Sequence, residues 1–356
     1  MENTKQNASR IAKRLLASAA LAATMLSIAG PSTGVAFAAG RLNLICSTDE
    51  LMCGLMKTRF EEETGVSVNM IRLGSGEAFA RIKAEARNPK TDVWWGGTGD
   101  PHLQAASEGL TQEYKSPKLD ELHDWAKKQA EVSGYKTVGI YTGALGWGYN
   151  TKLVAEKGLK EPLCWADLLD PAYADEIQMP NPSSSGTGYT ALGTLAQLMG
   201  EDKAFEYLKA LGKNISNYTK SGQAPVTAAA RGETTVGIVF LGTAVAQNLE
   251  GFPIKAVVPC EGTGYEVGSM SIVAGARNLD SAKIWYDWAL SAKPQTYLRD
   301  GKNYMFPANK NSAVPPELPA LSDIKLLDYD FKTYGSSEMR QHLLQRWETE
   351  VGSASK

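Results

Sequence analysis

The sequence predicts an α/β protein with room for two domains, and two observations carry that prediction. Short strand-like apolar runs alternate with helical runs along nearly the whole chain. Of the 356 residues, the first 38 read as an export segment, so about 318 remain for the fold, enough for two domains.

The export segment is the first element. Met1 to Arg14 is polar, with Lys5, Arg10, Lys13 and Arg14 against a single acid, Glu2. An apolar run from Leu15 to Gly30 follows, and Ala36-Phe37-Ala38 fits the cleavage motif of a secretory signal peptide. The run is shorter than the ~20 residues of a membrane-spanning helix. Cys46 follows Leu44-Ile45, not the small residue of a lipoprotein signal. Cleavage after Ala38 removes four of 37 basic residues and one of 39 acids, leaving 33 against 38. An acidic chain without a basic block argues against nucleic acid and anionic membrane as partners.

The mature elements follow in order. Leu42 to Cys46 reads as a strand, with Ser47 as N-cap and Glu50 three positions on as a capping box for a helix running to Glu63. Val66 to Leu73 is a second strand, and Gly74-Ser75-Gly76 turns into a helix over 77–86. Asp92 to Trp95 is a short buried strand, after which Asp100 is placed to cap and Pro101 to open a helix. Thr137 to Asn150 alternates like a strand, its glycines marking bends or a crossover. Trp165 to Asp170 is a helical turn ended by Pro171, and Ile177 to Pro180 a strand. Helices are expected at 187–199, 202–211, 224–231 and 281–292, and strands at 236–241, 254–259 and 269–274.

Five loops share one composition: Ser47-Thr48, Gly74-Ser75-Gly76, Gly96-Gly97-Thr98, Ser184 to Thr187, and Ser221-Gly222. Each joins a strand to a helix, and in open α/β sheets ligands gather beyond the carboxyl ends of strands. A single such loop is only a helix cap. Five together offer backbone N–H groups and hydroxyls to a tetrahedral oxyanion such as phosphate or phosphonate. The candidates are Ser75, Gly76, Thr98, Ser184, Ser185, Gly186, Thr187 and Ser221. Catalytic patterns are missing: there is no G-x-S-x-G, H-E-x-x-H or phosphate-binding G-x-x-x-x-G-K-[ST] motif. Trp94 and Trp95 read as core, on opposite sides of their strand.

Cys46, Cys53, Cys164 and Cys260 are an even set in an oxidising compartment and allow three pairings. Cys46 with Cys53 is favoured, because a strand end and the next helical turn could bring them together. Cys164 with Cys260 would then follow by elimination. C-x₆-C is no zinc spacing, and His102, His123 and His342 are the only imidazoles, so no metal or other cofactor is expected.

FEEETGVSVNM, DVWWGGTGDPHLQAASEGL, WADLLDPAYADEIQMPNPSSSGTGYTAL, AARGETTVGIVF and PCEGTGYEVGSMSIVAGARN together resemble a type II periplasmic substrate-binding protein of an ABC importer. The likeness is to the branch of ferric-ion, sugar-phosphate and phosphonate binders. It implies a two-lobed α/β fold, with a ligand cleft between lobes joined by crossover strands. The lobes would comprise residues 39–143 and 267–323 for the first and 144–266 for the second, with helices from 324 to 356 packing on the second lobe. The resemblance also implies a periplasmic monomer that meets a small anionic solute and an inner-membrane ABC permease. Ser75 matches a phosphate-contacting serine of the sugar-phosphate binders, and Glu266 matches a sugar-contacting acid.

The chain departs from the branch after GETTVGIVF. Ferric binders carry adjacent tyrosines there and sugar-phosphate binders a His-Asp pair, whereas this chain has Gly242-Thr243. The phosphate half of the site is kept and the organic half altered, with Thr243 as the candidate contact. The expected function is capture of a phosphorylated or phosphonylated organic solute. A ferric-ion binder is the alternative within the class, and a secreted phosphatase using the same anion cradle is the rival outside it. Fe³⁺ is a hard cation that needs anionic oxygen ligands, and two phenolates are missing. Addition of ferric citrate should therefore give no phenolate-to-iron charge-transfer band; stoichiometric, coloured iron uptake would contradict this reading.

Overall fold

A computed structural model describes residues 40–352, and the proposed signal peptide lies outside the described residues. The chain begins with β1 (Arg41–Cys46), α1 (Glu50–Thr64), β2 (Ser67–Arg72), α2 (Ser75–Ala84), β3 (Val93–Trp95) and α3 (Gly99–Ser107). Next come α4 (Asp124–Val132), β4 (Val138–Asn150), α5 (Thr151–Glu156), β5 (Ile177–Pro180), α6 (Gly186–Met199) and α7 (Glu201–Leu211). β6 (Ile215–Thr219), α8 (Ala224–Arg231), β7 (Val236–Phe240), α9 (Leu241–Leu249) and β8 (Ile254–Val257) follow. The chain returns through β9 (Tyr265–Ile272), α10 (Leu279–Leu290), α11 (Ala292–Asp300) and β10 (Phe306–Pro307), then ends with α12 (Phe331–Tyr334) and α13 (Ser337–Glu350).

The strand order is β2-β1-β3-β9-β4-β7-β5-β6, with β8 and β10 also pairing on β4. Two parallel groups, β1 to β3 and β5 to β7, lie on either side of antiparallel β4 and β9. β4 is 13 residues long and buried throughout. Its first half, to Ala144, pairs with β9, and Leu145 to Asn150 pairs with β7 and β8. One strand therefore belongs to both lobes, and the β8-to-β9 connection is the second crossing. Alternating strands and helices form the two parallel groups, while the strands that carry the chain between lobes and back run antiparallel to their neighbours. The glycines of β4 mark close packing at the crossing: a Cβ on Gly143 would meet Met305, and one on Gly146 would meet Val257.

Each lobe has its own aromatic centre. Phe60, Trp285 and Trp288 meet with ring centroids 4.8 to 5.4 Å apart in the first lobe, and Trp95 joins them. Trp94 points to the other side of β3, where it stacks on His102 at 3.6 Å. In the second lobe Trp147 packs edge-on against Trp165 at 5.0 Å. α6 is buried all round its first eleven residues, as expected for a helix covered on every side. The C-terminal helices provide part of that cover. The Tyr189 hydroxyl donates to the Tyr334 carbonyl at 2.6 Å, and Arg346 pairs with Glu201 and Asp202 while lying over Phe205.

Several sequence expectations need correction. α1 starts at Glu50 with Asp49 as N-cap, because the Ser47 hydroxyl is taken by the Trp94 indole N–H at 2.8 Å. Asp100 caps no helix; it pairs with Arg340. β6 was not anticipated, since an edge strand with polar Ser216 and Asn217 exposed carries little apolar signal. β7 stops at Phe240, which places Gly242 and Thr243 inside the first turn of α9.

Both disulfides form: Cys46–Cys53, and Cys164–Cys260 across a separation of 96 residues. In the chain-entropy account the longer loop constrains the unfolded state by about 2 kcal/mol more than the short one. Urea unfolding should thus show a larger loss for C164A/C260A than for C46A/C53A. Equal losses would mean that local packing, and not loop closure, sets the contribution.

Candidate functional site

The carboxyl ends of both parallel strand groups face one cleft, and six helices begin there. α1 brings Asp49, α2 Gly74 and Ser75, and α3 Gly97 and Thr98 from the first lobe. From the second lobe, α6 brings Ser185, Gly186 and Thr187, α8 Gly222 and Gln223, and α9 Phe240 and Thr243. Together these residues line a cavity of ≈ 60 Å³. Each helix start exposes backbone N–H groups and the positive end of the helix dipole. Six such ends around one cavity make a concentrated site for negative charge.

The two lobes touch at the cradle. A Cβ on Gly186 would run into the Thr98 hydroxyl, and one on Gly74 would lie 2.7 Å from the Ser184 carbonyl. Only glycine permits this approach. The Ser75 hydroxyl accepts from the Thr98 N–H at 3.2 Å, which fixes one cradle loop against the next. Ser185, the N-cap of α6, accepts from the Gly188 N–H at a long 3.5 Å, a cap at the limit of hydrogen bonding.

The other end of the cavity is built differently. The Tyr141 hydroxyl oxygen accepts from the Gly97 N–H at 3.0 Å, so its own proton remains available to an acceptor. Asn303 donates to the Thr48 hydroxyl at 2.8 Å and so orients it. Burial pushes Tyr141 well above the usual phenol range, and the neighbouring Glu266 charge adds to the rise. Glu266 is itself raised well above the usual carboxylate range by burial, then by Asp100 and Asp49. A neutral Glu266 can donate as well as accept. Burial raises Asp49 to about 7, opposed by the Arg72 guanidinium. Lys220 stands exposed at the rim.

Seven of the sequence-predicted residues come together in this cavity: Ser75, Thr98, Ser185, Gly186, Thr187, Thr243 and Glu266. Three do not line it. Gly76 faces a neighbouring groove, the Ser184 hydroxyl is buried without a partner, and the Ser221 hydroxyl accepts from the Gln223 N–H at 3.4 Å. Sequence reasoning missed Asp49, Arg72, Tyr141, Lys220, Gln223 and Asn303. Arg72 was findable as a charged residue at a strand end beside a predicted loop. Tyr141 and Asn303 had no local signal, because chain crossing alone brings them to the cleft. His102 stays out of the cavity: it is buried and neutral, held down to about 3 by burial, with both ring nitrogens bonded to Ser271 and Gly96.

A fold of two lobes on shared strands, closed over a polar cleft, defines a solute-capturing protein. Residues 88–333 match the model of the bacterial extracellular solute-binding protein family. The chain is also 43% identical to an uncharacterised protein of Haemophilus influenzae over 95% of this chain and 97% of that one. Among solved structures it resembles the periplasmic binding protein AfuA of Actinobacillus pleuropneumoniae, determined with fructose-6-phosphate. That match has TM-score 0.86 and 46% identity and covers 88% of this chain and 99% of that one. The periplasmic binding protein P5PA matches with TM-score 0.85 and 40% identity, over 88% of this chain and 99% of that one. The chain belongs to the bacterial extracellular solute-binding protein family. It is a substrate-binding protein of the type that serves ABC importers.

Asp49 gives a pH test of the cleft. Its folded value, about 7, lies above the ordinary 3.8, so the folded chain holds a proton that the unfolded chain has released. Stability due to this group is full below pH 4 and falls as pH rises through 7. Asp49→Asn should remove that slope, making the variant about 2–4 kcal/mol more stable than the parent at pH 8 but not at pH 4. Denaturant titrations at both pH values check this; parallel losses at both would contradict it.

Proposed function

We propose that this protein captures a small phosphorylated or phosphonylated organic solute in the periplasm and presents it to an inner-membrane ABC permease. The observation that supports this most is the convergence of six helix N-termini, with the hydroxyls of Ser75, Thr98, Ser185 and Thr187, on one cavity. In this reading Ser185, Gly186 and Thr187 grip the anionic group from the second lobe, and Ser75 and Thr98 meet it from the first. Tyr141, Glu266, Asp49 and Thr243 face the organic part. The fructose-6-phosphate in the AfuA structure is a solute of this class. Gly242 and Thr243 stand where the sugar-phosphate binders were expected to carry His and Asp, so a different organic moiety is the expectation.

Chemistry disfavours the iron reading. Tyr141 is the one tyrosine lining the cavity among the described residues, and its environment holds the phenol proton on. A ferric ligand needs the opposite. Capture proceeds by lobe closure and requires no reaction, and the cavity lining contains no histidine to act as a base.

Titration calorimetry with fructose 6-phosphate, 2-aminoethylphosphonate, inorganic phosphate and fructose tests this reading. Phosphorylated or phosphonylated probes should bind and fructose should not; binding of fructose alone would overturn it. With a probe that binds, Ser185→Ala or Thr187→Ala should each remove one hydrogen bond to a charged group. That is worth about 1.5–3 kcal/mol, or roughly ten- to a hundredfold in affinity. A residue that serves only as a cap would instead lower the melting temperature and leave affinity unchanged.

A further inference from the structure

We propose that the Asp100–Arg340 ion pair is a latch between the lobes, made on closure and broken on opening, and that it sets how long a solute is held. Asp100 lies in the first turn of α3, two residues beyond Thr98 of the cradle. Arg340 lies on α13, and its guanidinium stacks 4.1 Å above the ring of Tyr189. Tyr189 in turn is two residues beyond Thr187 on α6. The pair therefore ties together the first turns of the two helices that meet across the cradle, one from each lobe.

Its burial makes it a latch and not a surface contact. The side chains are only 10% exposed for Asp100 and 6% for Arg340. α13 is fixed to the second lobe by Arg346 with Glu201 and Asp202, and by Lys209 with Glu350 at 2.8 Å. Around the pair, α2 and α13 do not close on one another. A groove of ≈ 560 Å³ runs between them, with Phe79 and Lys83 on one wall and Arg340 and Leu344 on the other. When the lobes part, water has a path to both charges. When they close, both charges lose water together and compensate one another across the interface.

The latch and the cradle act on the same helices. The Thr98 hydroxyl lies beside the Asp100 carboxylate, without a hydrogen bond of good geometry to it. An anion in the cradle draws the starts of α3 and α6 together from inside the cleft, and the ion pair holds the next turn from outside. Asp100 and Arg340 are thus positioning residues: they touch no solute and act through lobe geometry. A buried charge left without its partner is far more costly than an exposed one. Removal of either partner should consequently favour the open form, in which the remaining charge is hydrated. Replacement of both by apolar side chains of similar size should restore closure.

The test uses the full mature chain with Asp100→Asn, Arg340→Gln, Arg340→Lys and the double variant Asp100→Leu with Arg340→Met. Small-angle scattering of the protein without added solute should show a larger radius of gyration for Asp100→Asn and Arg340→Gln than for the parent. The double variant should return to the parent value. Stopped-flow binding of fructose 6-phosphate should show release at least tenfold faster in those two single variants, with association changed less than twofold. Arg340→Lys, which keeps the charge but loses the planar stack on Tyr189, should fall between. If the single variants melt earlier yet keep the parent radius and release rate, the pair only fastens α13 and the proposal is overturned. The scattering arm needs no solute, so it decides the latch even if fructose 6-phosphate does not bind. Failure of fructose 6-phosphate binding in the parent would bear on the solute reading alone.

Discussion

The architecture depends on one constraint: β4 must satisfy hydrogen bonds in two lobes at once. It pairs with β9 and β10 before Ala144 and with β7 and β8 after it. A buried strand cannot leave its N–H and C=O groups unpaired without a penalty, so the crossing is fixed by its partners on both sides. The parallel strands of both lobes end on the side of this crossing where the cleft lies, and each hands over to a helix. The convergence of six helix starts is thus a consequence of topology, not of six independent choices. What the sequence chooses is the filling of those starts: small residues and hydroxyls, which leave the N–H groups accessible.

This division explains the two chemistries of the cavity. The helix starts make a cradle with positive potential, with Lys220 at its rim, suited to an anion that arrives with its own charge. At the other end, Glu266 is raised well above the usual carboxylate range by burial and then by Asp100 and Asp49, while burial raises Asp49 to about 7 against the Arg72 guanidinium. Neutral carboxyls beside a phenol and an asparagine form a donor-and-acceptor wall for hydroxyl, carbonyl or amine groups. The positive helix ends lie in the cradle and not at this wall, so a solute with one anionic terminus is favoured with that terminus in the cradle. Orientation is set by charge before any shape is read.

The sequence made the fold legible where local chemistry and architecture agree. Alternation of strands and helices, the loop compositions and the Trp94-Trp95 alternation were all readable, because each depends on neighbours along the chain. Ser47 shows where this stops. Its spacing to Glu50 is a capping signature, yet the Trp94 indole takes its hydroxyl. Asp100 fails in the same way, since an acid before Pro101 looks like a cap until Arg340, 240 residues away, claims it. Long-range partners override local signals wherever a polar side chain is buried, because an unpaired charge or donor there is costly. The polar wall of the cavity was hidden for this reason. Tyr141 sits mid-strand and Asn303 in a late loop, and only the crossings bring them to Glu266.

The departure at Gly242-Thr243 acquires a structural sense from the position of α9. A Cβ on Gly242 would collide with the backbone of Tyr304, next to Asn303 in the cavity wall. A larger side chain at 242 therefore cannot be accommodated without moving the segment that carries Asn303 and Met305. The glycine and that segment form one unit: the space given up by a side chain at 242 is occupied by chain from the other crossing. Gly242→His alone would therefore drive its side chain into the Tyr304 backbone and displace the 303–305 segment.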